Sequence, residues 1–151
     1  QSTFDKIIKT LTGIANISPK IKGYVIIGVA DNDADNQLFE SIYSTKSKKF
    51  ATFNITGIDS EAIKNFGKLD TYFTRLRDLI KNQPIEDYTK DYLTRNMKLV
   101  NYYDKSVLIF QIEADSKPLL YAGKYYVRRG NSIEEIQPES YIDLFNRFLK
   151  Q

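Results

Sequence analysis

Residues 124 to 129 read Lys124-Tyr125-Tyr126-Val127-Arg128-Arg129, an aromatic and cationic run with the composition of a β-strand. Successive strand side chains point to opposite faces, so Lys124, Tyr126 and Arg128 share one face and Tyr125, Val127 and Arg129 the other. An aromatic ring between two cations offers a base a stacking surface and offers phosphates charged donors, the combination used for single-stranded nucleic acid. Tyrosine also simply favours strands, and exposed strand faces carry charge. Two further basic groups lie in polar loops: Lys46, Lys48 and Lys49 in one, Lys20 and Lys22 in the other. Mobile lysines contact phosphates without reading sequence. Each cluster alone reads as solvated surface; taken with the strand, the set points to a phosphate backbone crossing a sheet edge.

The acidic run Asp31-Asn32-Asp33-Ala34-Asp35 opens like a calcium loop but fails further on. Asn36 stands where the sharp turn wants glycine, and Ile42 where a bidentate glutamate is needed, so the run reads as a solvated turn. The chain has no cysteine and no histidine. That removes disulfides, thiolate metal sites, the commonest metal ligand and general base, and Ser-His or Cys-His catalysis. Neither a P-loop nor a dinucleotide fingerprint is present. No metal site and no cofactor is expected.

These residues need a scaffold. Ser2 or Thr3 can cap a helix in which Phe4, Ile7, Ile8, Leu11 and Ile14 repeat at helical spacing. Tyr24 to Val29 is a continuous apolar run, expected as a central strand covered on both faces. Asn32 to Phe53 reads as polar and irregular, followed by a short strand from Phe53 to Thr56. Asp70 can cap a helix with Leu69, Tyr72, Phe73, Leu76, Leu79 and Ile80 on one stripe, and Pro84 follows its end. Met97 to Tyr103 and Val107 to Ile112, joined across Asp104-Lys105, read as an antiparallel hairpin with its second strand internal. After the strand at 125–129, Pro138 suits the first turn of a last helix with Tyr141, Leu144, Phe145, Phe148 and Leu149 inward.

The whole is expected to be one α+β domain of 151 residues, a mixed, largely antiparallel sheet packed with about three helices. The formal charge of +3 permits a polyanionic partner without demanding one. No run reaches the length of a membrane span and no signal-peptide layout opens the chain, so a cytoplasmic protein without membrane contact is expected. A first residue of Gln1 reads as a piece of a longer polypeptide.

Several segments resemble the Schlafen/AlbA-like nucleic-acid-binding domain of bacterial proteins. They are Ile14-Ala15-Asn16, the strand from Gly23 to Asp31, Thr56-Gly57-Ile58-Asp59-Ser60-Glu61-Ala62, the strand Val107 to Ile112, and Lys117-Pro118 leading into Tyr125 to Ser132. Gly23, Gly28, Gly57 and Gly130 match glycines of that family and are read as structural. Members typically open with a strand bearing Glu-Phe-Lys, whereas this chain opens in the helix that follows it. The loop Ile17 to Lys22 is longer than in relatives with paired glycines there.

The resemblance implies binding of DNA or RNA, single-stranded or backbone-led, by a module of a larger regulatory or phage-defence protein. Some relatives are metal-dependent ribonucleases that use an aspartate matching Asp31 with two upstream glutamates. Ala30 replaces a second acid, and Asp31 alone cannot hold a metal against a phosphate, so no catalysis is expected of this segment by itself. A nuclease completed upstream is one alternative. A protein-interaction or oligomerisation domain, such as a homodimer, with a tyrosine-rich surface (11 tyrosines in all) as its interface is another.

Overall fold

The structure is a computed structural model that describes residues 3–30, 33–43, 46–50 and 53–149. In chain order the elements are α1 (Thr3–Ala15), β1 (Lys22–Ile27), β2 (Val29–Ala30), α2 (Asp33–Tyr43), β3 (Lys48–Phe50), β4 (Phe53–Ile55), α3 (Asp59–Phe66), α4 (Leu69–Lys81) and α5 (Asp87–Arg95). The chain continues with β5 (Lys98–Tyr102), β6 (Lys105–Glu113), β7 (Leu120–Tyr121), β8 (Lys124–Arg129), β9 (Ser132–Glu135), a 3-10 turn at Pro138–Ser140, and α6 (Tyr141–Leu149).

The fold class is α+β. Among the described residues the strands form three small sheets ordered β1-β6-β5, β2-β4-β3 and β7-β8-β9. The β2–β4, β3–β4, β5–β6, β7–β8 and β8–β9 ladders are all antiparallel. Two compact units share the chain, one made of Gln1–Val25, Asp78–Asn96 and Gln111–Gln151, the other of Ile26–Arg77 and Met97–Phe110. Among the described residues no helix is long and apolar enough to cross a membrane.

In the first unit, the helical stripe of α1 buries Ile8 and Leu11 completely, with Asp5 in the first turn complementing the dipole. The core beside α6 consists of Val127, Ile136, Leu144 and Phe148, with Ile17, Ala114, Tyr125 and Tyr141 packed against it. Leu144 and Phe148 therefore face inward as their spacing predicts. Leu149, expected inward, is 80% exposed, since a helix of 9 residues has only one covered face and Leu149 falls outside it.

β6 is the middle strand of its sheet, and Val107, Leu108, Phe110 and Ile112 are buried in it, as the apolar run predicts. The expected central position of Tyr24 to Val29 is corrected. β1 ends the strand order, and Tyr24 and Ile26 alternate outward at 53% and 52% exposure. The run also breaks at Gly28, whose φ of +104° suits glycine and turns the chain into another sheet. There the Gly28 carbonyl accepts from the N–H groups of both Thr56 and Gly57 at 2.9 Å.

The stretch expected to be irregular holds α2. Asp35, read as part of a solvated turn, lies in its first turn, where an acid favours a helix N-terminus. α5 is likewise not legible as a separate helix, because its few apolar residues, among them buried Leu93, leave almost no stripe.

Candidate nucleic-acid interface

β8 lies between β7 and β9, with both edges paired, and is held from one side by α1. The close approach depends on Gly13. A Cβ there would stand 3.3 Å from the Arg128 backbone nitrogen and 3.1 Å from Cδ1 of Ile133. Just past the helix end, the buried Asn16 side chain ties three backbone groups together. Its Nδ2 donates to the carbonyls of Leu119 (2.9 Å) and Tyr126 (2.8 Å), and its Oδ1 accepts from the Leu119 N–H at 2.8 Å. The helix and the strand that carries the candidate residues are thus locked in register.

On the α1-facing side of β8, Lys9 places Nζ 4.2 Å from the Tyr126 ring centroid. Tyr126 also meets Tyr121 edge to face at 6.4 Å. A cation over a ring face is attracted by the ring quadrupole, so this ring fixes Lys9 in place rather than standing open for a base on that face. Two residues on, the Arg128 Nε donates to the Gly130 carbonyl at 2.9 Å, which orders the guanidinium and leaves its remaining donors available. Lys124 pairs with Glu135 at 3.2 Å, and that hydrogen bond holds its pKa up. Arg129, on the opposite strand face, pairs with Glu134 at 3.2 Å. Sequence patterns do not single out Lys9, because its partner is 117 positions away; only its place beside the apolar stripe of α1 signals it.

A valine at Gly13 is expected to destabilise the protein by about 2 kcal/mol through overpacking. It should also separate Lys9 from Tyr126. A lowered urea midpoint together with weaker oligonucleotide binding would report both.

The remaining predicted cations are not drawn into this group by any described contact. Lys20 is exposed in the turn before β1 with a φ of +67°, and Lys22 is exposed at the start of β1. Lys46 and Lys48 are exposed in the second unit. Lys49 pairs with Asn54 in the β3–β4 ladder, and its side chain lies outside the described ones. Asp31, the catalytic candidate, lies outside the described residues. Among those described, no group of three or more Asp and Glu residues is placed to hold a metal ion.

The fold has a solved counterpart. The chain is similar to the DIP2311 protein from Corynebacterium diphtheriae, with a TM-score of 0.53 and 15% identity over 93% of this chain. It spans 19% of that protein's length. At such identity the likeness shows the fold alone. No family model and no curated protein matches the sequence.

In the second unit the segment Thr56 to Ala62 serves as a junction. Asp59 accepts from the Ser106 N–H at 2.6 Å through Oδ2 and from the Ser106 hydroxyl at 2.7 Å through Oδ1. The Ile58 N–H donates back to the Ser106 carbonyl at 2.8 Å. Nearby, burial raises the Glu61 carboxyl above 4.5. The Tyr72 hydroxyl is pushed up to about 12, by burial first and then by Glu61 and Tyr43. Both shifts come first from desolvation, which disfavours the charged form of each group.

Proposed function

We propose that the chain is a nucleic-acid-binding module that holds a strand mainly through its phosphate backbone. The observation that carries this reading is the pair of ordered cations on one side of β8, Lys9 seated on the Tyr126 ring and Arg128 tethered to the Gly130 carbonyl. Cations already held in place lose less side-chain entropy on binding phosphate than free lysines do. The ion pairs of Lys124 and Arg129 make those two weaker contributors. The resemblance to Schlafen/AlbA-like domains supports the same reading and a place within a larger bacterial regulatory or defence protein. With Lys9 covering one face of the Tyr126 ring, backbone contacts outweigh base stacking, and sequence preference is weak.

The test is fluorescence anisotropy with labelled single-stranded DNA and RNA over a range of salt. Affinity should fall with salt, and each phosphate that a variant no longer neutralises should reduce the logarithmic slope by about 0.7. Arg128→Ala and Lys9→Ala should each remove one such increment. Replacing Tyr126 and Arg128 together should weaken binding more than replacing Lys48 and Lys49. Affinity independent of salt, or a reversed ranking in variants that keep their circular dichroism, would refute the assignment.

A further inference from the structure

Strand parity sends Arg129 to the side of β8 opposite Arg128. There Arg129, Ser140, Asp143, Asn146 and Arg147 line an open groove of 520 Å3 together with the buried Ile136. Asp143, Asn146 and Arg147 stand at spacings of three and four on α6 and so share one face of it, with Ser140 one turn earlier at the end of the 3-10 turn. Arg129 comes from the far end of β8. Among the described residues each guanidinium has one anchoring contact, Arg129 through Nε to Glu134 at 3.2 Å and Arg147 through Nη1 to the Ile17 carbonyl at 3.0 Å. A guanidinium carries five N–H donors in a planar fork, so each keeps most of them for a ligand.

Two ordered guanidinia from different elements, with a hydroxyl beside them, suit a phosphate. The acids set a further condition. Asp143 lies in the groove and Glu134 lies against Arg129, so the local positive charge is largely offset and a bare anion gains little there. A fitting ligand brings an anionic group for the arginines and also hydroxyl or N–H donors for the Asp143 carboxylate and the Asn146 side-chain oxygen. We propose that this groove binds a nucleoside monophosphate, either free or as the phosphorylated end of a nucleic-acid strand. Its volume lies within the range of about 300–1,000 Å3 usual for small-molecule sites. The site is on the other face of the strand from Lys9 and Arg128 and does not depend on the backbone-binding assignment.

Calorimetric titration of the whole chain with AMP, GMP, adenosine and inorganic phosphate tests this. A nucleoside monophosphate should bind at least about tenfold more tightly than phosphate or the nucleoside, since each of those engages only half of the lining. Arg129→Gln, at an exposed position, should remove most of that affinity without lowering the melting temperature. Asp143→Asn should weaken nucleotide binding while strengthening binding of inorganic phosphate, because it exchanges one of the two acceptor oxygens for an NH2 donor and removes the negative charge. Equal binding of phosphate and nucleotide, or affinities unchanged by both substitutions, would overturn the proposal.

Oligonucleotides with and without a 5′-phosphate separate the two sources. A preference for the phosphorylated end that Arg129→Gln abolishes assigns the groove to strand ends. Mononucleotide binding that depends on Arg129 without such a preference assigns it to free nucleotide. Strand binding that responds to Lys9 and Arg128 while no mononucleotide binds would refute this site and leave the backbone reading standing.

Discussion

Replacing Asn16 by alanine is expected to lower the unfolding free energy by about 4 kcal/mol, a large share of the roughly 5–15 kcal/mol that holds a domain of this kind together. The side chain is fully buried and makes three hydrogen bonds, so its loss leaves the Leu119 N–H and the Leu119 and Tyr126 carbonyls without that partner. Buried polar groups stripped of a partner bear their full desolvation penalty, which exceeds the net worth of the bonds themselves. Urea denaturation should show a markedly lower midpoint with an unchanged slope.

Asn16→Asp gives a sharper test. The carboxylate keeps an acceptor for Leu119 but turns its other oxygen toward two carbonyls, so the protonated form is favoured in the folded state. Its folded pKa is then raised above the unfolded value. The native state binds more protons than the unfolded state between those two values, and stability falls as pH rises through that window. A variant whose stability does not improve on acidification would contradict this account of Asn16. Because the Tyr126 carbonyl is one of its partners, both variants should also weaken oligonucleotide binding by loosening the strand that presents Arg128.

The second large effect is expected at Asp59. Asp59→Ala removes two short hydrogen bonds to an ionised acceptor and leaves the backbone N–H of Ser106, a residue only 6% exposed, unpaired. The cost should be about 3 kcal/mol. Asp59→Asn should recover part of it, as its single oxygen can serve the Ser106 N–H while its NH2 donates to the Ser106 hydroxyl, which accepts as well as donates, and only the charge is lost. Ser106→Ala should cost less than Asp59→Ala, since the backbone N–H keeps its carboxylate. Chemical denaturation of the three variants gives the ranking, and Ser106→Ala as the most damaging would overturn the argument.

Local patterns in the sequence carry a good deal of this protein. Helical spacing from Phe4 to Ile14 and from Leu69 to Ile80 marks α1 and α4, and the short Asp104-Lys105 connection marks the β5–β6 hairpin. Strand alternation alone separates Arg128 from Arg129. The lack of histidine and cysteine closes off whole classes of chemistry. Each of these depends on side-chain direction or residue type, which a helix or strand repeats whatever the rest of the chain does.

What covers each face depends on residues far away in the chain, and only the tertiary structure decided it. The apolar run at Tyr24 resembles a central strand, yet β6 takes the middle place and Gly28 diverts the chain into another sheet. Tyr126 reads as an open ring until Lys9 of α1 is seen upon it, and Lys124 and Arg129 read as free cations until β9 brings Glu135 and Glu134 alongside. Asn16, which in sequence marks a helix end within the stretch that resembles Schlafen/AlbA-like domains, acquires its bonding role from partners 103 and 110 positions away. Hydrogen bonds and ion pairs are set by proximity in space, and a one-dimensional period carries no information on which distant group will fill a given face.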